Sequence, residues 1–183
     1  MKRIKWTVAY TAAPTAVRYC KHCGVKTAFA SSGLFRVNAQ QKALDVWLIF
    51  KCPQCDTTWN CTILSRVNPA SLPKDLLHGF HTNDPALAMR YATDAALLKR
   101  NGAVPGVPEL TVLGPDVAGE TPVCIELDAP WPAAYKAAAA IRQKLGLSRS
   151  RFDQLCESGR LACLSGQNMK KCSLAGTFLL ELQ

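Results

Sequence analysis

Two Cys-x-x-Cys pairs, Cys20-Lys21-His22-Cys23 and Cys52-Pro53-Gln54-Cys55, constrain this chain more than any other feature of its sequence. Thiolates three positions apart reach one tetrahedral ion from a tight turn, and two such turns complete a closed structural zinc site. The 28 residues between the pairs exceed the usual interval of about 15–20, so the chain has to double back before the second pair meets the first. The strand-prone segments Leu34–Val37, Leu44–Phe50 and Thr58–Ile63 supply the means, with the polar run Asn38–Lys42 between the first two. The expectation is one zinc ion on Cys20, Cys23, Cys52 and Cys55. A dithiol redox pair is the rival, disfavoured because no thioredoxin-like strand–helix pattern surrounds either motif. His22 sits where four sulfurs already complete the site, and is expected to be exposed or hydrogen-bonded to a ligand sulfur.

At 183 residues and 49% hydrophobic content the chain is long and apolar enough for real cores. Its nine cysteines suit a secreted disulfide scaffold, yet Met1–Trp6 runs straight into the strand-like Thr7–Tyr10 without the apolar core of a signal peptide. The expected compartment is the reducing cytoplasm, where paired cysteines bind metal more often than they bridge. No stretch approaches the roughly 20 consecutive apolar residues of a spanning helix, so no membrane partner is expected. The net charge of +9 is uneven: residues 1–70 carry 10 basic and 2 acidic side chains, residues 71–131 carry 4 and 8, and residues 132–183 carry 8 and 3. Basic ends around an acidic middle suggest a polyanionic partner, although such an excess also serves solubility.

The middle reads as helix. Asn83-Asp84-Pro85 supplies a cap and a first-turn proline for a helix from Pro85 to about Arg100, with Leu87, Tyr91, Ala95 and Leu98 on one face and Asn101-Gly102 as its stop. His78 and His81 precede it without a third donor and read as capping or packing residues. Residues 102–122 form a loop-rich connection around the strand-like Glu109–Leu113. Val123–Leu127 alternates like a half-buried strand before Asp128-Ala129-Pro130-Trp131-Pro132 breaks it, and the alanine-rich run Ala133–Ala140 is strong helix former. The predicted fold class is α+β in three modules. These are a zinc-ribbon β domain over 1–70, a helical and strand connecting region over 71–131, and a C-terminal helix pair with short strands over 132–183.

Catalysis is not expected. The glycines form neither a phosphate loop nor a dinucleotide fingerprint. Cys61, Cys124, Cys156, Cys163 and Cys172 fall in apolar or alternating stretches with no histidine placed to activate them.

Residues Ile141–Leu161 read as two helices, with Gly146 closing the first, Ser148 capping the second and Gly159 stopping it. Arg149 and Arg151 fall in a first turn, where they oppose the helix dipole and gain nothing structurally. The motif from Leu147-Ser148-Arg149-Ser150-Arg151-Phe152 through Glu157-Ser158-Gly159-Arg160-Leu161 resembles the alpha-L RNA-binding domain named for ribosomal protein S four. That resemblance implies phosphate contacts by Arg149, Arg151 and Arg160, which Lys144, Lys170 and Lys171 extend into one basic face. The departures are Leu164–Asn168 in place of an asparagine–glycine turn and the missing Arg-Leu-Asp opening. Across the chain, Arg18–Gly24, Phe35–Ala39, Leu44–Trp59 and Ser65–Pro69 resemble a bacterial family catalogued as a domain of unknown function, number 1062. This implies a shared fold and no activity.

The resulting expectation is a zinc-containing accessory protein that binds structured or ribosomal RNA. A zinc-ribbon protein adaptor and a DNA-binding regulator are the alternatives. Tyr19, Phe35, Trp47 and Trp59 are candidates for stacking on bases or for the ribbon core.

Overall fold

A computed structural model describes residues 1–40, 43–117 and 122–183. The chain divides into two compact units, one made of Met1–Ala12 with Pro108–Gln183 and the other of Ala13–Val107. Their boundaries fall at 12/13 and 107/108, not at 70/71 and 131/132. The expected α+β arrangement of a zinc ribbon, a helical middle and a C-terminal helix pair does not hold. The protein is mostly β, 47% strand against 25% helix, and each unit is built on a curled five-stranded sheet.

In the Ala13–Val107 unit, β2 (Thr15–Cys20), β3 (Val25–Gln40), β4 (Ala43–Lys51) and β5 (Thr58–Val67) form an antiparallel meander, with β6 (Val104–Pro105) added beside β2. Here β1 is the N-terminal strand, Lys2–Tyr10, of the other unit. Strict alternation on β4 sends Leu44, Val46, Leu48 and Phe50 inward. β3 stays one strand past Ser31–Phe35 by shifting register there, with Gly33 at φ 72°. Gln41 and Lys42 of the expected polar turn lie outside the described residues.

The middle helices are part of this unit's core, not a separate region. They are α1 (Lys74–Thr82), α2 (Pro85–Ala92) and α3 (Ala95–Arg100). Phe80, Ala88, Ala92, Leu97 and Leu98 join the sheet's apolar face, and Phe35 meets the rings of Phe80 and Tyr91 edge-on. Helix ends are tied to strands. Asn83, left-handed at φ 54°, accepts from the Phe35 N–H at 2.7 Å, and the Asn101 amide exchanges two bonds with the Thr62 backbone at 2.8 and 3.0 Å. The single helix expected from Pro85 to Arg100 is broken at Thr93-Asp94, because the Asp94 carboxylate accepts from the N–H groups of Ala96 and Leu97 and starts a new helix.

The other unit orders its strands β7-β1-β8-β10-β9, with β7 Leu110–Leu113, β8 Val123–Lys136, β9 Leu161–Cys163 and β10 Ser173–Leu182. β1 runs parallel to β8 and antiparallel to β7. Helices α4 (Ala137–Leu145) and α5 (Arg149–Glu157) contribute Ala137, Ile141, Phe152 and Leu155 to the core with Trp6, Ile125, Leu127, Phe178 and Leu180. The expected break at Pro130–Pro132 is a bulge. β8 uses five residues, Ala129 to Ala133, where β10 uses three, Gly176 to Leu174, and the strand continues to Lys136. No helix among the described residues is long and apolar enough to cross a membrane.

Candidate metal centre and basic clusters

The first cysteine pair sits in the β2–β3 turn and the second in the β4–β5 turn. Antiparallel pairing of Ala30 with Lys51 places the start of β3 beside the end of β4, so both turns lie at the same end of the sheet. The four sulfurs all fall within 4.8 Å of one another. Cys20 Sγ lies 3.6 Å from Cys55 Sγ, and Cys23 Sγ 3.8 Å from Cys52 Sγ. Four thiolates about 2.3 Å from a tetrahedral zinc ion are separated by about 3.8 Å, so the donor set and its spacing fit a metal ion.

Two turns of one design produce this. The Gly24 N–H donates to the Cys20 carbonyl at 2.9 Å, and the Asp56 N–H to the Cys52 carbonyl at 3.0 Å. Each turn closes on a left-handed residue, Gly24 at φ 72° and Asp56 at φ 56°. Glycine adopts that region freely and aspartate at a cost, so Gly24→Ala is expected to lower the unit's stability by about 1 kcal/mol. Asp56→Gly is expected to be neutral or mildly stabilising despite losing its 3.3 Å ion pair with the exposed Lys51. Thermal melts of the two variants check the contrast, and an equal loss in both contradicts it.

Two of the sulfurs, Cys52 and Cys55, are drawn toward the thiolate. Burial pushes the Cys52 thiol up, but the backbone N–H groups of Gln54 and Cys55 and the Thr27 hydroxyl outweigh it and bring it down to about 6. The Thr57 hydroxyl, 3.1 Å from Cys55 Sγ, holds Cys55 below the ordinary thiol range. Cys23 is raised, chiefly by its hydrogen bond with Cys55, so it keeps the proton its neighbours give up. A divalent ion held by these sulfurs would take the place of such protons. His22 is exposed beside the site. Cys61 lies buried on β5, where burial raises its thiol to about 11, and it belongs to the core. All nine cysteines are free.

Next to the knuckles, Arg18 stands 4.4 Å over the Trp59 ring. With Tyr19, Lys21, Phe29 and Thr58 these line a shallow cleft of about 120 Å³. Tyr19 is 54% exposed. Phe35 is core, and Trp47 is half-buried with the Arg36 guanidinium 6.0 Å from its ring.

The six basic residues expected to form one RNA-contacting face are mostly engaged separately. Lys144, with its side chain only 14% exposed, is bound to Asp116 at 2.6 Å and to the Gly114 carbonyl at 2.8 Å. Arg160 donates to the Gln183 carbonyl, and Arg151 reaches Gln154 along its own helix. The exposed Lys171 offers its carbonyl to Lys136. Arg149 and Lys170 of the six line one cleft together, and Lys136 and Arg142, which sequence reasoning missed, line it with them. No local signal joins Lys136 at a strand end to Arg149 across a helix.

Residues 37–167 match the family described as "Protein of unknown function (DUF1062)", and the chain belongs to that family. Comparison with curated proteins and with solved structures finds no match.

Proposed function

We propose that this protein is a zinc-stabilised binding protein, not an enzyme, and that it holds single-stranded RNA on the knuckle face of its Ala13–Val107 unit. The carrying observation is the cleft beside Cys20, where Arg18 packs on Trp59 and Tyr19 stands exposed. Stacking surfaces and cations together are what a single strand requires, and a metal-held turn fixes them in place.

Zinc on Cys20, Cys23, Cys52 and Cys55 is structural in this reading. Four thiolates leave no open position for substrate, and an ion there supplies cross-linking of the two turns and nothing else. The tetrathiolate centre carries a charge of about −2, which nearby Arg18 and Lys21 offset, so the face stays attractive to phosphates. Tyr19→Ala is expected to weaken binding of a short uridine-rich RNA about tenfold. Lys21→Ala is expected to weaken it similarly for all sequences and to flatten the dependence of log affinity on log salt by about one unit. Fluorescence anisotropy reads both. Absence of binding at low salt, or wild-type affinity in both variants, removes the RNA reading and leaves the protein adaptor in its place.

A further inference from the structure

We propose that the cleft between α4 and α5 is a binding site for a phosphomonoester dianion. It has a volume of about 290 Å³ and is lined by Lys136, Arg142, Arg149, Phe152, Asp153 and Lys170. Ala138 and Ala139, in the first turn of α4, form its small-residue wall. The site belongs to the unit that contains the C-terminal residues and is independent of the knuckle face.

Charge selects the ligand class. Four cationic side chains line the cleft against one carboxylate, Asp153, and Glu157 lies 3.9 Å from Lys170. With both acids counted, an excess of two positive charges remains, which a dianion balances and a monocarboxylate does not. Asp153 takes the Lys170 ammonium at 2.7 Å and is held below the usual carboxylate range by that bond, with Lys170, Arg149 and Arg142 adding to the effect. It is thus a fixed anion that positions Lys170 and does not neutralise the rest. Lys170 keeps further N–H donors beyond that bond, as does Lys136 beyond its 2.7 Å contact with the Lys171 carbonyl.

A second observation concerns a residue of the same cleft. The Nε of Arg142 is buried and has no hydrogen-bond partner among the described residues. A buried unsatisfied guanidinium N–H is costly, and the same guanidinium belongs to a residue that lines the cleft. Arg149 opens α5 at its N-terminal end, a placement that opposes the helix dipole and that an anion between the two helices offsets. Guanidinium forks match phosphoryl oxygens in plane and spacing. The modest volume suits a small phosphorylated molecule.

Titration calorimetry of the full chain with inorganic phosphate and with glycerol 3-phosphate tests the site. Saturable binding is expected, weakened roughly tenfold or more by Arg149→Ala and by Arg142→Gln. Arg149 is exposed, so its variant keeps the wild-type melting temperature and separates ligand loss from unfolding. No heat of binding at 20-fold above millimolar protein, on the order of 20 mM ligand, overturns the proposal, as does binding that both variants leave unchanged. A short RNA with 5′-hydroxyl ends distinguishes the source of the phosphoryl group. If it displaces glycerol 3-phosphate from the wild-type protein and Arg149→Ala abolishes its binding, the cleft reads backbone diesters and the monoester assignment falls. RNA binding that depends on Tyr19 and not on Arg149 leaves the cleft proposal standing.

Discussion

Cys52→Ser is expected to strip the protein of its metal and to open the knuckle end of the β2–β5 sheet while the other unit stays folded. Cys52 is only 2% exposed, and its sulfur stands among three other thiols and the Thr27 hydroxyl. A serine there removes one of four donors and leaves three thiols packed together without the ion that draws them in. In zinc-finger peptides structural zinc contributes roughly 10–16 kcal/mol, which is the whole of folding. This unit has a core of its own around Phe50, Phe80, Leu48 and Leu98, so the loss is confined to the turns and the strand ends they join. Elemental analysis should find about one zinc per wild-type chain and almost none in the variant. Hydrogen exchange should lose protection at the end of β2, the start of β3 and the end of β4, and keep it in β8 and β10. Cys61→Ser is the control: it lies on β5 outside the four-sulfur cluster and should keep the metal. Full zinc content in Cys52→Ser, or wild-type protection in metal-free protein, defeats the assignment.

The metal cluster was legible because its information is local. Each pair of cysteines, with Gly24 or Asp56 behind it, specifies one turn within five residues, and no distant contact is needed to see two donors on each. The sheets were not legible, because their decisive pairings join residues far apart. Lys2 meets Val123 and Trp6 meets Leu127 in a parallel pairing that no hairpin turn announces. A chain read from left to right therefore assigns Thr7–Tyr10 to the cysteine module, whereas the strand lies at the heart of the C-terminal sheet. Pro130 and Pro132 misled for a different reason. Proline stops a regular ladder, yet a bulge sets the Pro130–Pro132 segment out of register and lets β8 resume. The break at Asp94 was written in the sequence as a second capping residue, and a continuous apolar stripe from Leu87 to Leu98 hid it. The basic residues have partners that sequence proximity does not show, above all Asp116 for Lys144 and Asp153 for Lys170.

Trp6→Ala follows from the same long-range pairing and is expected to have the largest effect of any substitution in its unit. Trp6 is fully buried, and its indole N–H donates to the Pro115 carbonyl at 2.8 Å. Gly114, at φ 128°, makes room for it: a Cβ there would lie 2.7 Å from the indole Cδ1 and 2.5 Å from the Lys5 carbonyl. Removing the indole leaves a cavity among Ile125, Leu127, Ile141 and Phe178 and a carbonyl without its donor, a loss of about 3–5 kcal/mol. In a unit of this size that corresponds to roughly 15–30 °C in melting temperature. The decisive readout is where the damage stops. Exchange protection should collapse in β8 and β10, more than 115 residues along the chain from the mutation, while zinc content and protection in β3 and β4 hold. If the cysteine-bearing sheet melts with it, or if β8 and β10 are untouched, then Met1–Ala12 does not belong to the unit with Pro108–Gln183 and the two-unit division is wrong.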